Sequence, residues 1–168
     1  VPAMMPAFRR TLAFLGAHGV RHFDAHLSNV LTDGERLYLA DFGLALDRSW
    51  DLSGTEQSFF DAHAHYDDAL FSACLFRPLY ALVRSWDDDA KAAMSARFGD
   101  ATIGTLARNL EALCADGTLS LPPDYLALLQ PWAELVGWMD GFLGALSDGR
   151  KADAVWNDPA VAALLQKA

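Results

Sequence analysis

Behind Pro6, which suits a first helical turn, Phe8, Leu12 and Leu15 recur at intervals of three and four. That spacing predicts an amphipathic helix over residues 5–17, stopped by Gly16 and Gly19. GVRH then reads as a short extended piece and leads into a polar stretch, HFDAHLSN. SNVLT and RLYLAD flank Asp33-Gly34, a strong signal for a two-residue hairpin turn. Residues 29–40 are therefore predicted to form a short antiparallel hairpin ending at Asp41, the one clear β-element. Residues 47–62 mix Ser, Thr, Gly and Asp without a firm period and are expected to be irregular.

Beyond them the pattern is helical. DDALFSACLFRPLYALVRSW, residues 67–86, is strongly apolar, and Pro78 is expected to kink or split it. Asp87 to Asp89 give a negative first turn to a helix reaching about Phe98, as the helix dipole favours. A further helix is expected over 103–115. Pro122-Pro123 open a helical region to about Leu146, interrupted at Pro131. Asn157 or Asp158 caps a last helix with Pro159 at its first position. No repeat of fixed period and no low-complexity tract is visible. The expected fold class is α+β, mainly α: one domain over 1–168, a small hairpin module followed by a helical bundle.

Composition narrows the function classes. Hydrophobic residues make up 52% of the 168 and charged residues 21%, which describes a globular chain rather than a disordered one. The net charge of −9, with only three lysines (Lys91, Lys151 and Lys167) and no basic stripe, argues against nucleic-acid binding. An acidic surface suits a cationic substrate or a basic partner. Cys74 and Cys114 sit inside apolar helical patterns without a CxxC or Cys-His spacing, so they read as buried thiols in a reducing, cytoplasmic setting. No apolar run reaches the roughly 18 residues of a membrane span, and no signal segment opens the chain. The Val-Pro opening, in place of Met, is taken to reflect an N-terminal part beyond this sequence.

The polar stretch concentrates the chemistry. Asp24 and Asn29 lie five apart in a loop, and the hairpin folds Asp41 back toward them. Two carboxylates and an amide oxygen can then converge, a hard-oxygen set that suits Mg²⁺ with phosphate oxygens and water. A carboxylate left free of metal could accept a hydroxyl proton. The plainer alternative makes Asp24 and Asn29 turn residues that cap backbone groups. His63 and His65 have no zinc-site spacing and read as a solvated loop or helix start; His18 reads as a helix C-terminal residue. The five Trp read as core.

His22, Asp24 and Asn29 form H-x-D-x-x-x-x-N, and Asp41-Phe42-Gly43 begins seventeen residues after Asp24, across the predicted hairpin. This arrangement resembles the catalytic loop and metal-binding segment of the protein-kinase-like superfamily. The resemblance implies an ATP- and Mg²⁺-dependent phosphotransferase and the C-terminal lobe of that fold. Asp24 would orient or deprotonate the acceptor hydroxyl, while Asn29 and Asp41 would hold Mg²⁺ on the ATP phosphates. His22 would brace the loop, Phe42, ahead of Gly43, would pack beneath it, and His26 would lie near the transferred phosphate. An Asp at the start of the helix after the irregular segment would anchor the loop backbone, and Asp68 is taken for that role rather than Asp67. His26 stands where protein kinases usually carry Lys and aminoglycoside phosphotransferases carry His; Asp-Phe-Gly leans toward Ser/Thr protein kinases. No A-P-E follows it, so a small-molecule acceptor is expected ahead of a protein. The family's N-terminal lobe, with its Gly-rich loop and strand Lys, has no counterpart in this sequence. The chain is expected to be part of a longer kinase, or a half-length protein whose ATP site a partner chain completes. A non-catalytic kinase-like binding module is the alternative from another class.

Overall fold

The computed structural model describes residues 4–150 and 154–167. The sequence expectations that fall on Val1, Pro2 and Lys151 lie outside the described residues. The architecture is α+β and mainly helical, and the chain packs as two compact units: Val1–Phe71 with Trp156–Ala162, and Ser72–Val155 with Ala163–Ala168.

In the first unit, α1 (Met4–Ala17) buries Phe8 and Leu12 along one stripe, as the spacing predicts; Met5 joins them, while Leu15 stays half-buried. Phe8 stacks on Phe71 with ring centroids 3.7 Å apart. The chain then turns through Gly19, at φ 78°, into β1 (Val20–Arg21). The predicted hairpin forms from β2 (Val30–Thr32) and β3 (Leu37–Leu39), in the register Val30↔Leu39, Leu31↔Tyr38 and Thr32↔Leu37. Its turn is longer than Asp33-Gly34 suggests. Asp33 Oδ1 accepts hydrogen bonds from the Glu35 and Arg36 amides, and Oδ2 accepts one from the Tyr38 hydroxyl. The side chain thus closes a loop running from Asp33 to Arg36.

A second ladder encloses this hairpin: β1 pairs antiparallel with β4 (Leu46–Asp47), Val20 opposite Asp47 and Arg21 opposite Leu46. Two-residue strands are too short to show an alternating pattern, so only the extended character of GVRH was legible. The expected irregular stretch also holds a helix, α2 (Gly54–Ala62). Ser53 and Glu56 make a capping box at its start, a signal present in the sequence as S-x-x-E. Behind that cap the apolar period is too weak to mark the helix in the sequence.

α3 (Tyr66–Cys74) and α4 (Arg77–Arg84) result from the expected split, with Pro78 in the first turn of α4 where its missing N–H costs nothing. In the second unit, Asp87 caps α5 (Asp88–Phe98) by accepting from the Ala90 amide at 2.8 Å. The single helix expected over 103–115 is two, α6 (Ile103–Arg108) and α7 (Leu110–Ala115). They break at Asn109, whose side chain donates to the Thr105 carbonyl at 2.9 Å in competition with the helical ladder. α8 (Pro123–Leu129) and α9 (Ala133–Ser147) flank a 3-10 turn at Pro131, as expected. α6 lies against α9, and Leu106, Leu110, Leu113, Leu135, Val136 and Met139 are buried. In α10 (Asp158–Lys167), Asn157 is the cap, accepting from the Ala160 amide at 3.1 Å. Among the described residues, no helix is long and apolar enough to cross a membrane.

Candidate functional site

The site is built in the first unit around the buried His22 ring. His22 Nε2 lies 3.0 Å from the Ala40 carbonyl, and the Asp24 amide donates to Nδ1 at 3.2 Å. A carbonyl only accepts and a backbone amide only donates, so the ring is the Nε2–H tautomer. The Ala40 amide in turn donates to the Asn29 carbonyl at 2.8 Å. Ala40 is therefore held from both sides, and the next residue, Asp41, is delivered beside the loop that carries Asp24 and Asn29. Ala25, fully buried, pins the middle of that loop.

Asp24 is fixed by its neighbours. Asn29 Nδ2 donates to Asp24 Oδ2 at 2.8 Å and to the Asp24 carbonyl at 2.9 Å. Both amide hydrogens are used, which leaves Asn29 Oδ1 as an oxygen donor for a cation. On the other carboxylate oxygen, His26 Nε2 stands 3.3 Å from Asp24 Oδ1. His26 Nδ1 is buried without a hydrogen-bond partner. Such an orphaned atom costs about 1–3 kcal/mol unless a ligand completes it.

Phe23 and Asp41 are the two non-glycine residues with positive φ among the described residues, each at 61°. This left-handed backbone costs on the order of 1–3 kcal/mol per residue and tends to collect at functional sites. One strained residue immediately precedes Asp24; the other is the expected metal ligand. Asp41 is exposed, and a Cβ added at Gly43 would come within 3.3 Å of its Oδ1. Glycine at 43 thus keeps a cradle open beside that carboxylate.

Phe42 sets its ring edge-to-face on His22, with centroids 4.6 Å apart, yet remains 45% exposed. It leans on the loop from outside rather than packing beneath it. The loop anchor also differs from expectation: Asp67, not Asp68, holds the backbone, its Oδ2 accepting from the His22 amide at 2.8 Å. Successive helical residues point about 100° apart, so only one of the pair can face the loop. Asp68 faces Arg9 instead, at 3.6 Å. Burial pushes the Asp67 carboxyl above the ordinary carboxylate range, against hydrogen bonds from the His22 and Phe23 amides, and its Oδ1 has no partner. Burial raises Asp68 as well, with Arg9 pulling it back.

A ring cluster that no local sequence pattern marks lies beside the loop. Phe59 stacks on His63 at 4.0 Å, His63 on Trp156 at 5.4 Å, and Phe23 lies 5.0 Å from Phe59. Tyr66 packs on Trp156 at 5.2 Å; burial, then the Asp67 and Asp24 charges, raise its hydroxyl pKa. His63, half-buried at the end of α2, stacks as well as meeting solvent. His65, expected on a solvated helix start, ties to Asp158 through its ring at 2.8 Å and its amide at 2.9 Å.

Among the described residues, no group of three or more His, Cys, Asp or Glu side chains could hold a metal ion. Mg²⁺ would instead depend on Asn29 Oδ1, Asp41 and oxygens from outside the protein, a sparse set that fits its habit of keeping water and phosphate ligands. Compared with protein-family models, curated proteins and solved structures, the chain matches none of them.

Proposed function

We propose that this chain is the catalytic lobe of a protein-kinase-like phosphotransferase, moving the terminal phosphoryl group of ATP to a hydroxyl of a small molecule. The observations that support the reading are the double grip on Ala40, the residue ahead of Asp41, and the Asp24 carboxylate that Asn29 holds. Asp24 takes the acceptor's hydroxyl proton, the acceptor oxygen bonds to phosphorus, and ADP departs. Asn29 and Asp41 would hold Mg²⁺, which supplies charge neutralisation on the phosphates. His26, whose Nε2 faces Asp24 and whose Nδ1 is buried without a partner, would lie near the transferred group.

His26 in place of Lys and the absent A-P-E favour a small acceptor over a protein; the net charge of −9 favours a cationic one. A reducing, cytoplasmic setting fits Cys74 and Cys114, which are not joined in a disulfide. A second reading, a kinase-like module completed by another chain, draws on Leu31 and Tyr38. They pair across the hairpin yet are 59% and 47% exposed.

Phosphate transfer to a panel of amino-alcohol acceptors, with ATP hydrolysis as background, tests the proposal on the longest encoded form of the chain. Asp24→Asn should lower turnover by about 10²–10⁴-fold, the usual worth of a positioned base. Asp41→Ala should abolish Mg²⁺-dependent nucleotide binding. Equal turnover in Asp24→Asn and the parent would leave the binding-module reading in its place.

A further inference from the structure

A cleft of about 510 Å³ opens at the outer ladder of the first unit, lined by Gly16, His18, Gly19, Arg21, Arg48 and Ser49 among others. It gathers basic side chains in a chain whose net charge is −9. Arg21 ends β1 and Arg48 follows β4, and both guanidinium groups lie over the buried Phe60 ring, 5.2 and 5.1 Å from its centroid. Stacking on a ring orients a guanidinium and leaves its N–H edge for a ligand.

The two arginines differ in what they already hold. Arg48 is paired with Asp61. Among the described residues, the Arg21 guanidinium has no hydrogen-bond or ion-pair partner, and its Nε is buried. Gly16 admits it: a Cβ there would sit 2.7 Å from Arg21 Nη1. Asp47 also lines the cleft, but its carboxylate is turned to Ser49, accepting from that amide at 2.7 Å.

We propose that this cleft binds a phosphate-class oxyanion, held in the fork of Arg21 and closed by Arg48. Planar guanidinium groups match phosphate oxygens two at a time, and a dianion answers a guanidinium that no salt bridge holds, its charge felt only by Asp68 among the nearby carboxylates. The site uses none of the groups around Asp24 and stands whether or not that chemistry is correct. Its occupant bridges the two strands that bracket residues 22–45, where the Arg48 amide already donates to the Gly19 carbonyl at 2.8 Å.

The test is a titration of the ¹⁵N-labelled chain with inorganic phosphate at fixed ionic strength, with acetate in parallel. Phosphate should shift the amides of Gly19, Arg21, Arg48 and Ser49. Arg21→Gln should weaken the fit about tenfold, as loss of a charge-assisted pair does. Arg48→Gln, at an exposed side chain that leaves folding intact, should weaken it as well. Shifts confined to His22–Asn29, titrations unchanged in both variants, or acetate matching phosphate would each overturn the proposal.

Discussion

Asp67 carries two opposed effects. One oxygen holds the His22 amide, while burial disfavours the charge on the group that does the holding. With its carboxyl raised above the unfolded value of 3.8, Asp67 binds a proton more tightly in the folded chain. Its contribution to stability is therefore complete below that value and fades as pH rises through the folded one. Asp67→Asn keeps an accepting oxygen and removes the titration, so denaturant unfolding should show a flatter decline from pH 4 to 8 than in the parent. Asp67→Ala leaves the His22 amide buried and unpaired and should lose about 1–3 kcal/mol. If Ala and Asn at 67 cost the same, the hydrogen bond is not what holds the loop.

Between elements, a close approach falls where α6 meets α9. A Cβ on Gly104 would lie 2.7 Å from the Asp140 Cβ and 2.9 Å from its Cγ. Asp140 cannot readily withdraw, because its Oδ2 accepts from the Thr102 hydroxyl at 2.8 Å, at the cap of α6. Gly104→Ala should thus destabilise by about 1–3 kcal/mol despite the better helix propensity of Ala. Thermal unfolding reads this directly, and an unchanged or raised midpoint would mean the two helices part without cost.

Taken over the full chain, the longest-range hydrogen bonds described here close the first unit: His65 and Asp158, 93 positions apart, meet through ring and backbone. Burial pushes the Asp158 carboxyl up, but hydrogen bonds from the His65 amide and ring and the Trp156 indole outweigh it and hold it below the ordinary 3.8. That contribution is present above pH 3.8 and is lost as pH falls through the folded value. Below about pH 4 the melting temperature of the parent should therefore fall more steeply than that of Asp158→Asn, by a few degrees. Parallel acid limbs in the two proteins would remove Asp158 from the account.

The parts of the fold that were legible are those written in neighbours. The Phe8 and Leu12 stripe, the hairpin around Asp33-Gly34 though not its turn length, the breaks at Pro78 and Pro131 and the Asn157 cap each depend on residues within a few positions, where spacing and backbone preference act directly. The same locality made His22, Asp24, Asn29 and Asp41 readable as one constellation, because a short hairpin brings its own ends together. Which of two adjacent aspartates meets the loop, which strands close around the hairpin, and where Arg21 comes to rest depended on partners tens of residues away. Helix phase and side-chain burial settle such choices, and neither is expressed until the chain has packed.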